Sequence, residues 1–344
     1  MTSSRSQGAP PLRRPALDGL PIRLDLTPNP YCPSVRVFDA LSVAEETVAS
    51  PQRERRLVDR IAAFEDVPRS WVTIAAGVQD LMVSILLLAR RKGPLVTFPP
   101  TDASIARLAA LLGLDTVEIE RSPRFSVDLA VDDSRLPPAA TAIAMSPNDP
   151  TGSLISSVDV VRLARQCGTV VVDERHGAYS PRSALPIARE FDNVVVVKTL
   201  ETWAGLTAFP LAYAISSPRA AQELRRTLVD PTPPLGSLIA AEATLDDARY
   251  MLATVDRVIE EKGRLYRTLR KLNMVRPYPS WANFLLARAE RGSAGWYADE
   301  LAKRDIIVAL PGDRRLEDYL RISSVSPEAT QTLKHALIEI AAGL

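Results

Sequence analysis

The side chains best suited to chemistry in this 344-residue chain stand where short apolar runs end. Residues Thr169–Asp173 are a β-branched run that closes on DERHGAY, so Asp173 ends the run and His176 follows three residues later. An imidazole there can hydrogen-bond a ligand oxygen or change charge near neutral pH. The carboxyl end of a strand in an α/β sheet is also a usual place for a ligand. A packing role in the loop is the competing reading for His176. The only other histidine, His335, lies in a helical pattern over residues 328–342 and reads as a surface residue. A second apolar run, residues 193–197, ends in Lys198 and Thr199. A polar turn with Trp203 and Gly205 follows, and then a further apolar run over residues 211–215.

The elements that must hold these residues are legible as alternating patterns. Strand-like runs fall at residues 72–77, 95–98 and 116–120, just before Ser146, and at Thr169–Asp173, 193–197 and 211–215. Helical spacing separates them at residues 52–66, 78–90, 104–114 and 157–165. Runs apolar at every position suit strands covered on both faces. From about Arg219 the pattern turns helical, with a long charged stretch over residues 246–270 and short strands near residues 283–286 and 306–309.

Composition excludes several classes of function. A balance of 42 basic and 41 acidic residues gives no general field for a polyanion. Arg53, Arg55, Arg56 and Arg60 cluster, but Glu54 and Asp59 interrupt them, so a solvated helix face is expected and no nucleic-acid partner. Cys32 and Cys167 form no metal or redox motif, and no metal is expected. No signal-peptide pattern opens the chain, so a reduced, cytoplasmic protein is expected. The apolar run 81–89 is too short to span a membrane, and no membrane partner is expected.

Five segments, in order, resemble the fold type I pyridoxal-phosphate aminotransferases, and most of all the histidinol-phosphate aminotransferase group. They are N-P-x-x-P-S at Asn29–Ser34, SPNDPTG at Ser146–Gly152, DERH at Asp173–His176, KTLETWAGLTAFPLAY at Lys198–Tyr213 and YLRIS at Tyr319–Ser323. SWANFL at residues 280–285 is similar to the family's entry strand into its small domain. The resemblance implies an α/β fold: a mostly parallel seven-stranded sheet sandwiched by helices, with a smaller α+β domain. It implies a flexible arm over residues 1–24, an entry segment over 25–34 and a large domain over 35–245. A linking helix over 246–270 and a small domain over 271–344 would complete the chain. It also implies a homodimer.

The resemblance assigns roles by position. Gly77 and Val78 fall where a turn and helix start cup the cofactor phosphate through backbone N–H groups. Asp173 falls on the aspartate that pairs with the pyridine nitrogen, and Asn29 and Arg321 fall beside the substrate carboxylate. Four positions depart from the pattern. The Schiff-base lysine falls on Thr202, the phosphate arginine on Pro210, the asparagine that donates to the cofactor phenolate on Asp149, and a tyrosine on His176. Threonine forms no Schiff base and is a poor base. Of the six lysines only Lys198, four residues earlier, is near by sequence.

The departures lead to the expectation of a chain without cofactor, a pseudoenzyme that has lost lysine-dependent transamination and either binds an amino acid or another small carboxylate or serves a non-standard biosynthetic role. Two alternatives stand beside it. One is a pyridoxal-phosphate aminotransferase using Lys198 or noncovalent cofactor, with an amino-acid or amino-phosphate substrate. The other is a cofactor-free enzyme with His176 as general base.

Overall fold

The computed structural model describes residues 20–44, 51–131, 133–229 and 232–342. Most of the 1–24 arm lies outside the described residues. In chain order the strands of the first half are β1 (Ile22–Arg23), β2 (Val72–Ala75), β3 (Leu95–Thr97), β4 (Thr116–Glu118), β5 (Thr141–Met145) and β6 (Thr169–Asp173). Those of the second half are β7 (Val194–Thr199), β8 (Ala212–Ile215), β9 (Val275–Pro277), β10 (Phe284–Ala289), β11 (Ile306–Ile307) and β12 (Tyr319–Ser323).

Seven strands form one sheet in the order β2-β8-β7-β6-β5-β3-β4. β8 runs antiparallel to β2 and β7, and every other adjacent pair is parallel, as the mostly parallel sheet requires. Successive side chains of a strand point to opposite faces. Val194, Val196, Val170 and Val172 pack on one face with Val160 and Leu163 of the helix Ser157–Gln166. Val195, Val197, Val171 and Ile143 pack on the other with Leu81 and Ile85 of the helix Val78–Ala89. With helices on both faces, a central strand has to be apolar at every position. Each such valine contributes about 1.5–3 kcal/mol on burial.

A smaller α+β domain holds β9, β10 and β12 as an antiparallel sheet and β1 and β11 as a parallel pair. Leu265, Leu285, Leu301, Ile322 and Leu337 form its core with the helices Ala248–Leu272, Ala294–Ala302 and Pro327–Ala342. The charged helix expected over residues 246–270 is displaced to Ala248–Leu272. The preceding helix, Leu235–Asp246, ends first, and Asp247 (φ −125°, ψ 33°) separates the two. Asn273 stops the long helix in the left-handed conformation, a common helix terminator. The strand expected over residues 306–309 is only Ile306–Ile307, with Ala309 bridging separately to Arg321. Among the described residues no helix is long and apolar enough to cross a membrane.

Candidate active site

The parallel strands deliver their following loops to one edge of the large sheet. β6 brings Asp173 there, β5 the loop Ser146–Gly152, β3 the segment to Asp102, and β7 the turn with Glu201 and Thr202. Asp173 is fully buried. Its Oδ1 accepts the backbone N–H of Arg175 at 3.1 Å, and its Oδ2 accepts Nε and Nη2 of the same residue at 2.9 and 2.6 Å. Nη1 of Arg175 reaches Asp102 Oδ2 at 2.7 Å. Burial works against the Arg175 charge, but Asp173, Asp102 and Asp149 outweigh it and raise the pKa of the guanidinium. Thr202, at the lysine position of the resemblance, donates its hydroxyl to the Arg175 carbonyl at 2.5 Å.

Arg321 arrives from the small domain on β12. Its Nη1 meets Asp149 Oδ2 at 2.5 Å, and Nη2 donates to the Asp25 carbonyl at 2.5 Å. The guanidinium lies 5.3 Å from the centre of the Phe284 ring, a cation–π distance. Its Nε is buried without a partner. Burial raises the pKa of Asp149, with the Arg321 charge opposing.

The loop that carries Asp149 is anchored through Asn148 by a residue to which nothing in the sequence pointed. Arg121, buried, donates to the carbonyls of Phe98 (2.9 Å), Phe125 (3.3 Å) and Met145 (3.4 Å) and to Asn148 Oδ1 (3.1 Å). Asn148 in turn donates to the Pro100 carbonyl at 3.0 Å and to Thr151 Oγ1 at 2.8 Å. These acceptors are neutral, and burial lowers the Arg121 pKa to about 9. A lone arginine after a short strand gives no local cue, because its acceptors come from three separate segments.

His176 packs edge-on against Phe284, ring centres 5.3 Å apart, with Nε2 3.9 Å from Asp149 and Nδ1 buried without a partner. Burial, reinforced by the Arg175 charge, lowers its pKa to about 3. The titration near neutral pH expected of a free imidazole is therefore suppressed, and the ring stays neutral as the general-base alternative would require, yet is a weak base. This has a measurable consequence. The unfolded chain takes up a proton on His176 below pH about 6.5 and the folded chain does not until about pH 3. Stability from this group is thus present at neutral pH and is lost as pH falls. Between pH 7 and pH 5 the loss is about 2 kcal/mol. Buried Glu174 and partly buried Asp149 and Glu201 act in the opposite sense, since desolvation raises their pKa values. The His176 part is therefore the difference between wild type and H176N in urea unfolding at the two pH values. Equal pH dependence in both proteins would refute it.

Lys198 faces away from this cluster, and the reason is strand alternation. Asp173 pairs in register with Val197, so Lys198, one residue on, projects to the opposite face of the sheet. There its Nζ meets Glu65 Oε2 at 2.6 Å and Glu174 Oε2 at 3.8 Å, while Tyr213 donates its hydroxyl to Glu65 Oε1 at 2.6 Å. Lys262 is committed to the carbonyls of Ser280 and Ala282, both at 2.8 Å. Asn29 is fully buried and ties the entry segment to the β7 turn. Its Nδ2 donates to the Trp203 carbonyl at 2.6 Å and to Thr254 Oγ1 at 2.7 Å, and its backbone N–H donates to the Thr202 carbonyl at 2.8 Å.

Gly77 begins the helix Val78–Ala89 with φ 99°, in the left-handed region where a glycine is favoured. A Cβ there would lie 3.2 Å from Pro210 and 3.3 Å from Glu201 Oε1. Glu201 therefore covers the start of this helix. The Arg321 side of the site opens on a cleft of about 680 Å³ between the two domains, lined among others by Asp102, Asp149, Glu120, Pro311 and Arg314.

Residues 47–337 match the family model for class I and II aminotransferases. The chain belongs to that family. The histidinol-phosphate aminotransferase of Roseiflexus castenholzii is 30% identical over 341 residues, covering 94% of this chain and 91% of the relative. Histidinol-phosphate aminotransferase 1 of Arabidopsis thaliana, a chloroplastic protein, is 28% identical over 322 residues, covering 92% of this chain and 77% of the relative. Among solved structures, the histidinol-phosphate aminotransferase of Sinorhizobium meliloti in complex with pyridoxal-5'-phosphate shares the fold. Its TM-score is 0.84 at 22% identity, covering 94% of this chain and 91% of that one. These matches to aminotransferases along nearly the whole chain overturn the expectations of a pseudoenzyme, of lost aminotransferase activity and of a function without cofactor. Those expectations weighed single positions, whereas the similarity is spread through both domains.

Proposed function

We propose that this aminotransferase-family chain is a pyridoxal-phosphate-dependent aminotransferase for an amino-acid or amino-phosphate substrate, taking the cofactor without a bond to lysine. The observation that carries this reading is the family match, continuous from residue 47 to residue 337. That span includes buried Asp173, which we assign to a pyridine nitrogen, and Arg321 across the cleft. The donor set does not fit a lysine-linked cofactor: Thr202 stands at the linking position, and Lys198 is paired with Glu65 on the other face of the sheet. What the chain's own residues do is bind and orient. The forked Arg321 guanidinium takes a planar substrate carboxylate, or a phosphate, in exchange for Asp149. Phe284 and His176 pack beside it and keep water from that end. The family's subunit arrangement supports a homodimer, and the two unpaired cysteines fit a reducing cytoplasm.

The test is a titration of the purified protein with pyridoxal phosphate, followed by its visible absorbance. Amino-group transfer is then assayed from glutamate or histidinol phosphate to a 2-oxo acid. Spectral binding with turnover is expected, and R321M should raise KM for the anionic substrate about 100-fold through loss of a charge-assisted pair. Absence of both binding and turnover at millimolar cofactor would overturn the reading.

A further inference from the structure

We infer that the site at the sheet edge is self-occupied, with Glu201 seated where a cofactor phosphate would lie and Arg175 where a protonated pyridine nitrogen would lie. This rests on the reading that this site takes pyridoxal phosphate, and it arises from the poor fit of the residues present to that group.

Three charged contacts are needed to hold such a cofactor and its substrate. They are an anion at the start of the helix Val78–Ala89, a cation on Asp173, and a second anion on Arg321. The chain supplies all three itself. At the first, the Glu201 carboxylate lies against Gly77, and the backbone N–H groups of Val78 and Leu211 and the Thr199 hydroxyl support its charge. Thr199 Oγ1 is 3.2 Å from Glu201 Oε1. At the second, Arg175 occupies both oxygens of Asp173 and extends to Asp102. At the third, Asp149 neutralises Arg321 at 2.5 Å. The Arg175 charge also acts favourably on Glu201, so the two internal groups sit within reach of one another's fields.

The arrangement has an energetic cost that packing alone does not explain. Burial raises the pKa of Glu201, and its hydrogen bonds and the Arg175 charge offset that cost only in part. A serine or threonine at residue 201 would fill less space and leave the helix start open. A carboxylate instead competes with any phosphate, by charge and by volume. Cofactor entry therefore requires Glu201 to swing out, and it makes Glu201 a determinant of cofactor affinity without being a ligand.

The experiment compares wild type, E201S and E201Q in titrations with pyridoxal phosphate and with pyridoxal, which has the same ring and no phosphate. Thermal melting accompanies each titration. Glutamine keeps the shape of Glu201 and removes the charge, so it guards against a folding defect in E201S. Affinity for pyridoxal phosphate is expected to rise at least about 10-fold in E201S and to rise in E201Q, with affinity for pyridoxal unchanged. No gain for pyridoxal phosphate in either variant, or an equal gain for pyridoxal, overturns the inference. A gain in binding with no turnover in any of the three proteins would uphold the inference and sink the aminotransferase reading. Wild-type binding and turnover without a gain in the variants would do the reverse.

Discussion

Replacing Arg175 with methionine is expected to destabilise the protein by about 3–5 kcal/mol, the cost of breaking a buried pair from one side. The substitution keeps much of the side-chain volume, so the loss is electrostatic. Asp173 is fully buried and takes three of its hydrogen bonds from Arg175, and Asp102 takes a fourth. The backbone N–H of residue 175 survives the change, but the carboxylate loses its counterion in a place that water does not reach. Urea unfolding at neutral pH measures the effect. Adding D173N to R175M should recover about 1–2 kcal/mol, because the amide removes the unpaired charge. A loss below about 1 kcal/mol for R175M would show that Arg175 behaves as a surface ion pair, and that Asp173 is reached by solvent.

The second large effect is expected at Arg121. R121M leaves the carbonyls of Phe98 and Met145 short of a donor and Asn148 Oδ1 with the Thr101 hydroxyl, inside a region without water access. Each buried unsatisfied group costs about 1–3 kcal/mol. Removing a buried guanidinium that has no carboxylate among its partners returns part of this, so a net loss of about 3 kcal/mol is expected. Lysine should not rescue it, because one ammonium cannot reach acceptors spread over a planar fork. The same variant should speed amide hydrogen exchange in the loop Ser146–Gly152, since Arg121 fixes Asn148 and Asn148 fixes the neighbours of Asp149. Unchanged exchange there, alongside lost stability, would confine Arg121 to packing.

In the structure Asp149, Asp173, His176 and Thr202 follow the strands at one edge of the sheet, but their partners were not legible. Arg175 and Asp102 are separated by 73 positions, and Arg321 and Asp149 by 172. No local pattern encodes such pairs. Lys198 is instructive in another way. Its rank at a strand end made it a candidate for the missing amine, yet its face is set by the register of β7 on β6, which pairs Val197 with Asp173. A one-residue offset in a strand reverses the face, however short the distance along the chain. Asn29, expected beside a substrate carboxylate, donates its side-chain amide to the Trp203 carbonyl and to Thr254 Oγ1.

By itself the sequence determined the layered architecture and the family. Apolar runs such as Val194–Thr199 can be satisfied only between two layers of helices, and the motifs from Asn29 to Arg321 keep their order and spacing. The tertiary structure alone decided the ionic state of the site. His176 is neutral because burial and Arg175 oppose its charge, and Asp173 is closed because a neighbouring guanidinium folds back on it. Glu201 faces the helix start because β7 and β8 turn beside Gly77. Apolar patterning is a local property of a segment and survives in the sequence. Charge in a buried site depends on distances between segments and on the exclusion of water, and these exist only once the chain has folded.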